Sequence, residues 1–166
     1  MQIILGIDPG SRTTGYGLIS VKNRKLTYLD SGCIKTPEGA LPARLLEIFN
    51  GVCQLMETYQ PSEVAIEQIF MHENASSALK LGHARGVAMV ACASHRVSVY
   101  EYTPREVKLA VVGYGAAQKE QVKQMVMRLL SLSKPPQTDA ADALAIAICH
   151  QHMHTGLQSL LTERVR

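Results

Sequence analysis

No apolar run in this sequence approaches the ~20 residues that a membrane-spanning helix needs. The N-terminus has neither a basic region nor a signal-type cleavage site, so the expectation is a cytoplasmic protein. Cys33, Cys53, Cys92 and Cys149 are scattered and form no Cys-x-x-Cys pair. They read as small buried hydrophobes in a reducing compartment. No internal repeat, low-complexity segment or linker divides the chain, and one domain is the simplest partition of 166 residues, 46% of them hydrophobic. The net charge of +3 is modest. If several acids gathered in one site, the remaining surface would be more basic than that figure. Such a division suits a polyanionic partner with metals in the acidic pocket, although many ordinary soluble proteins are as basic.

What is present is organised around Ile3-Ile4-Leu5-Gly6-Ile7-Asp8-Pro9-Gly10. A short apolar run ends in an acid, a proline and a glycine, which reads as a buried strand delivering Asp8 to a sheet edge. Pro9 cannot donate to a ladder, and Gly10 permits a tight turn. Open α/β sheets carry their active sites at such edges. Aspartates also start turns, so Asp8 marks a site only if other acids converge there. Residues 14–21 and 26–36, separated by the polar turn Lys22-Asn23-Arg24-Lys25, extend the first strand into an antiparallel meander. Residues 41–59 have helical periodicity, and Val64-Ala65-Ile66 is a buried strand that also ends in an acid, Glu67. Residues 74–95 form a long helix in which Ala78, Gly82 and Gly86 share a face open to close backbone approach. A strand over 96–102 follows, then a helix opened by Thr103-Pro104 and ended at Gly113-Tyr114-Gly115, an amphipathic helix over 118–132, and a final helix capped by Thr138 and running to about 152. This order suggests an α/β domain over residues 1–154, a mixed sheet covered on both faces, with a flexible tail over 155–166.

Four carboxylates stand out. Asp8 and Glu67 end predicted inner strands, and Asp139 and Asp142 lie three apart on one face of the otherwise apolar final helix. Acids on a core helix have to face a site or a partner, although aspartates also favour the first helical turn for its dipole. Four acids without a matching basic cluster would repel one another, and divalent cations relieve that. Oxygen-only ligands select Mg²⁺ or Mn²⁺ over zinc, and two such ions suit attack of water on a phosphodiester.

The ordered set of segments resembles the RuvC family of bacterial Holliday-junction resolvases. It comprises Gly6-Ile7-Asp8-Pro9-Gly10-Ser11-Arg12-Thr13-Thr14-Gly15-Tyr16-Gly17, Ala65-Ile66-Glu67-Gln68-Ile69-Phe70-Met71, Ser77-Ala78-Leu79-Lys80-Leu81-Gly82, Ala84-Arg85-Gly86-Val87, Val111-Val112-Gly113-Tyr114-Gly115 and Asp139-Ala140-Ala141-Asp142-Ala143-Leu144-Ala145. The first segment alone is shared with many ribonuclease-H-like and actin-like proteins; the set is specific. The resemblance implies a ribonuclease-H-like fold with a five-stranded mixed sheet, a homodimer, and paired Mg²⁺-dependent nicking of four-way DNA junctions that leaves 5′-phosphate and 3′-hydroxyl ends. It implies two Mg²⁺ per site, with Mn²⁺ able to substitute, held by the catalytic Asp8, Glu67, Asp139 and Asp142. It further implies DNA contacts from Lys108, Lys119 and Phe70, and the RuvA-RuvB branch-migration helicase complex as partner. His83 stands where the pattern has glutamine, and the residues after His154 match no part of it.

Lys80, Arg85, Arg105, Lys108, Lys119 and Lys123 can line a phosphate track, while any single lysine is as easily a solvated surface charge. Phe70 is either core or an exposed ring able to stack on a base. His150, His152 and His154 alternate; with no cysteine or acid beside them they read as a surface cluster rather than a metal site. Gly113 and Gly115 resemble a phosphate-cradling loop only weakly. An actin-like ATPase needs a second such domain, and a related RNA hydrolase would lack the segment over 77–87. A non-cutting junction-binding module would not need all four acids. The helix over 74–95 is the expected dimer contact, against the alternative that one subunit buries it completely.

Overall fold

In the computed structural model, which describes residues 1–69 and 75–163 with side chains through residue 154, β1 (Gln2–Asp8), β2 (Thr13–Lys22) and β3 (Lys25–Lys35) form the expected antiparallel meander. Asn23 and Arg24 both take left-handed backbone angles, φ 52° and 64°, as a two-residue hairpin turn demands. Helix α1 (Leu41–Tyr59) then crosses to β4 (Glu63–Glu67), which lies parallel to β1. Helix α2 (Ala75–Ser94) crosses to β5 (Ser98–Tyr102), parallel to β4. The sheet order is β3-β2-β1-β4-β5. β5 starts two residues later than the sequence suggests because Arg96, at φ 59°, closes a turn onto the end of α2.

Period-two alternation divides the core. Leu5, Ile7, Val64 and Ile66 point to one face and pack with α1 and α2. Ile4 and Ala65 point to the other, against the chain's last three helices: α3 (Pro104–Val112), α4 (Lys119–Leu129) and α5 (Thr138–Glu163). By the same alternation Asp8 and Glu67 belong to the α5 face. Ile7 pairs with Ile66 in a parallel ladder, so the strand ends carrying Asp8 and Glu67 emerge side by side.

Helix α5 is the central element. From Ala140 to His150 it is buried all round except at Asp142, as expected of a helix enclosed between a sheet and other helices. It lies so close to the sheet that a Cβ at Gly6 would sit 2.0 Å from the Ala143 carbonyl oxygen, and one at Gly15 2.1 Å from that of Asp139. Glycine inside these strands is what admits the helix backbone. Thr138 is the first residue of α5 rather than its cap, and the helix continues to Glu163, past the end near residue 152 that its pattern suggested.

Helix α3 opens with Pro104 and a capping box: the Glu106 N–H donates to the Thr103 hydroxyl at 3.1 Å, and the Thr103 N–H donates to the Glu106 carboxylate at 2.7 Å. Gly113, at φ 82°, stops it. That glycine serves as a helix cap, which accounts for it without a phosphate.

Candidate active site

β1 and β4 supply Asp8 and Glu67, and the first turn of α5, held down by the glycines beneath it, supplies Asp139 and Asp142. One carboxylate oxygen from each of Asp8, Asp139 and Asp142 lies within 4.8 Å of the others. Glu67 lies outside that trio but lines the same cavity, of about 260 Å³, as Asp8 and Asp142. The far wall is cationic and apolar: Lys108 and Val107 from α3, Lys119 and Val122 from α4. The four acids that sequence reasoning grouped are thus brought to one place.

Their electrostatics show the strain of that gathering. Burial, and after it the charges of Glu67, Asp142 and Asp139, push the Asp8 carboxyl up from 3.8 to about 8, with Lys119 opposing. Burial and then Asp142 also raise Glu67, against Lys119 and Lys108. Lys119 Nζ donates to Asp142 Oδ2 at 3.0 Å and, by that bond first, is itself held above its ordinary value. Two ammoniums, of which Lys119 alone is bonded to an acid, therefore face four acids, a deficit that hard divalent cations would fill. The all-oxygen donor set fits such ions.

Several residues sit differently from expectation. Arg85 is not a free surface cation. Its Nε–H donates to the Glu67 carbonyl at 3.1 Å, and its guanidinium pairs with Glu101 on β5. It braces the backbone of a site acid. Nothing in the sequence spacing announced this, because Glu67 and Arg85 meet only through the β4–α2 crossover. Cys33, read as a buried hydrophobe, is half-buried beside the site; burial, and after it the charge of Asp139, raise its thiol pKa. Lys80 is exposed on α2 and Lys123 half-buried on α4, and neither lines the cavity. Phe70 lies outside the described residues.

The histidine reading needs correction. His150 is fully buried, not on the surface, and an acid does lie beside it: Glu63 Oε2, 2.7 Å from His150 Nε2. The pair joins the first residue of β4 to α5, 87 positions later in sequence, so no local pattern could reveal it. Burial first, opposed by Glu63, lowers the His150 pKa and favours the neutral ring.

Comparison with known proteins identifies the family. The family described as crossover junction endodeoxyribonuclease RuvC matches residues 4–150. The protein of that name from Legionella pneumophila strain Philadelphia 1 is 64% identical over 99% of this chain and 95% of its own length. Among solved structures, Thermus thermophilus RuvC in complex with a Holliday junction substrate superposes with a TM-score of 0.88 at 36% identity, covering 93% of this chain and 95% of that one. The yeast mitochondrial Holliday junction resolvase, at 13% identity, shares the fold with a TM-score of 0.65 over 94% of this chain and 82% of its own. The five-stranded sheet with its flanking helices is thus ribonuclease-H-like, as the sequence resemblance implied.

Proposed function

This chain belongs to the RuvC family of crossover junction endodeoxyribonucleases, and from that premise we propose that it resolves four-way DNA junctions by two symmetric nicks in strands of like polarity, in recombination and repair in the cytoplasm. The observation that carries the proposal is the convergence of Asp8, Glu67 and Asp142 on one cavity faced by Lys108 and Lys119, with an Asp139 carboxylate oxygen within 4.8 Å of those of Asp8 and Asp142. Residues 1–154 carry the nuclease. Two Mg²⁺ ions, with Mn²⁺ able to substitute, would be held by the four carboxylates and would supply activation of water and stabilisation of charge on the leaving oxygen. Water adds at phosphorus and the bond to the 3′-oxygen breaks, leaving a 5′-phosphate and a 3′-hydroxyl. Lys119 and Lys108 neutralise charge on the phosphate that enters the cavity. Lys80 and Lys123 extend the cationic track, and Phe70 contacts junction bases. Arg85 acts at one remove, through Glu67.

Two equivalent strands require two active sites related by a two-fold axis. Helix α2 suits that contact. Leu79 is 64% and Val90 60% exposed, and, the local backbone of α2 aside, no atom of the described residues lies within 4 Å of a Cβ built at Gly82 or Gly86. The subunit therefore does not bury this helix completely. The open stripe fits a second copy of itself, and the RuvA-RuvB helicase complex is the natural further partner of the assembled dimer on DNA.

The decisive experiment offers a mobile four-way junction, a linear duplex and a structured RNA, with Mg²⁺ or with EDTA, alongside a supercoiled cruciform plasmid. Cleavage of the junction alone, dependent on Mg²⁺, with linear plasmid appearing without accumulation of nicked circles, is the expected result. Preferential RNA cleavage, or binding of the junction with no cleavage under any metal, would refute the proposal.

Arg85→Ala tests the brace. Losing a charged hydrogen bond to the Glu67 carbonyl is expected to slow cleavage roughly tenfold, in line with ~1.5 kcal/mol for such a bond. Junction affinity, measured without divalent metal, should move far less. A large affinity loss at unchanged single-turnover rate would instead make Arg85 a DNA contact.

A further inference from the structure

Where the far end of β4 from the active site meets the middle of α5 lies a second cluster with different chemistry, and we propose that Glu63, His150 and His154 bind one transition-metal ion of the zinc class. Glu63, Ala65 and Glu67 alternate onto the same face of β4, so one strand presents an acid to α5 at each end. His150 and His154 are one helical turn apart on α5, the spacing that lets two imidazoles share an ion. One ligand atom from each of the three residues lies within 4.8 Å of the others. The two imidazole rings are already stacked at a tilt, 4.4 Å between centroids, and the Tyr100 ring packs against both, at 4.6 Å and 5.1 Å.

The surroundings are those of a supported site. His150 is wholly buried, and its Nδ1 lies 2.7 Å from the Tyr102 hydroxyl. That partner fixes the ring and leaves Nε2 facing Glu63. The Gln2 side-chain amide donates to the same carboxylate. Among the described residues no lysine or arginine pairs with Glu63, whose only ion-pair partner is His150. Glu63 and His154 are only half-buried, so the cluster is open to solvent on one side, giving an ion a way in and water a fourth position.

Two nitrogens and one carboxylate oxygen select Zn²⁺, Co²⁺ or Ni²⁺ over Mg²⁺, the reverse of the all-oxygen set at the other end. The two sites would therefore fill independently. An ion here fastens the start of β4 to the middle of α5, the same two elements that carry Glu67, Asp139 and Asp142. It acts as a structural clamp on the frame of the active site.

The test titrates Zn²⁺ alone into untagged, metal-free protein by calorimetry, and Co²⁺ alone by visible absorption. One tight site per chain, with a rise in melting temperature, is expected. Glu63→Gln, which keeps the hydrogen-bonding shape, and the half-buried His154→Ala should each weaken Zn²⁺ binding at least ~10-fold, and Tyr102→Phe should weaken it to a smaller degree. Asp8→Asn should leave it unchanged. Equal affinity in the Glu63 and His154 variants, loss of binding in Asp8→Asn, or no binding below millimolar Zn²⁺ would each overturn the proposal.

Discussion

Replacing Asp8 with asparagine is expected to abolish cleavage, spare junction binding and make the metal-free protein more stable. Asp8 sits where the fields of Glu67, Asp142 and Asp139 overlap, and burial and those charges raise its pKa to about 8 from the ordinary 3.8. Between those two values the folded protein holds a proton there that the unfolded chain has released. Metal-free stability therefore falls as pH rises through this window, and the full penalty is reached above the folded value. Asparagine does not ionise. The variant should gain roughly 1–2 kcal/mol over the parent at pH 8.5 in EDTA, allowing for partial solvation of the site, and little near pH 4. Mg²⁺ should reverse the order: it stabilises the parent more at pH 8.5 than at pH 6, because Asp8 must lose its proton to ligate, and it stabilises the variant less at both. The carboxylate makes no contribution to the basic surface, so junction affinity in EDTA should be equal to or better than the parent's. Melting curves with and without Mg²⁺, gel-shift binding and single-turnover cleavage measure all three. Undiminished Mg²⁺-dependent cleavage would remove Asp8 from the site, and a less stable variant at pH 8.5 would contradict the electrostatic account.

Gly6→Ala is expected to be among the most damaging single-methyl changes in the molecule. The added carbon would lie 2.0 Å from the Ala143 carbonyl oxygen and 2.9 Å from the Ala147 nitrogen, both backbone atoms of α5. No rotamer change relieves a clash with backbone, so the helix must move by about 1 Å to restore contact distance. Overpacking of that kind costs roughly 3 kcal/mol or more when neither partner is a side chain. Even where the variant folds, Asp139 and Asp142 ride on the displaced helix, and a misplacement of about 1 Å at a reacting centre costs roughly 100-fold in rate. Denaturant unfolding and cleavage rates at a permissive temperature are the measurements. A Gly6→Ala protein with parental stability and rate would mean that α5 does not rest on the strands as described.

The fates of these glycines separate what is local in the chain from what is not. Strand ends, helix stops and same-face acids were legible because they are local. Ile3 to Ile7 closed by Asp-Pro-Gly, Val64 to Ile66 closed by Glu67, and Asp139 and Asp142 three apart each express a period or a breaker within a few residues. Glycine spacing pointed to close approach on α2, where the chain itself leaves Gly82 and Gly86 open. Close approaches between sheet and helix are instead made in β1 and β2, where Gly6 and Gly15 meet the backbone of α5 more than a hundred positions away. Arg85 under Glu67, Lys119 on Asp142 and Glu63 against His150 belong to the same class, joined by contacts 18, 23 and 87 positions apart. Periodicity tells which face of an element is apolar and where the element ends. It carries no information on which residue of another element is set opposite a given side chain. That is decided by strand order, ladder register and the depth at which α5 settles on the sheet, and these exist only once the chain has packed.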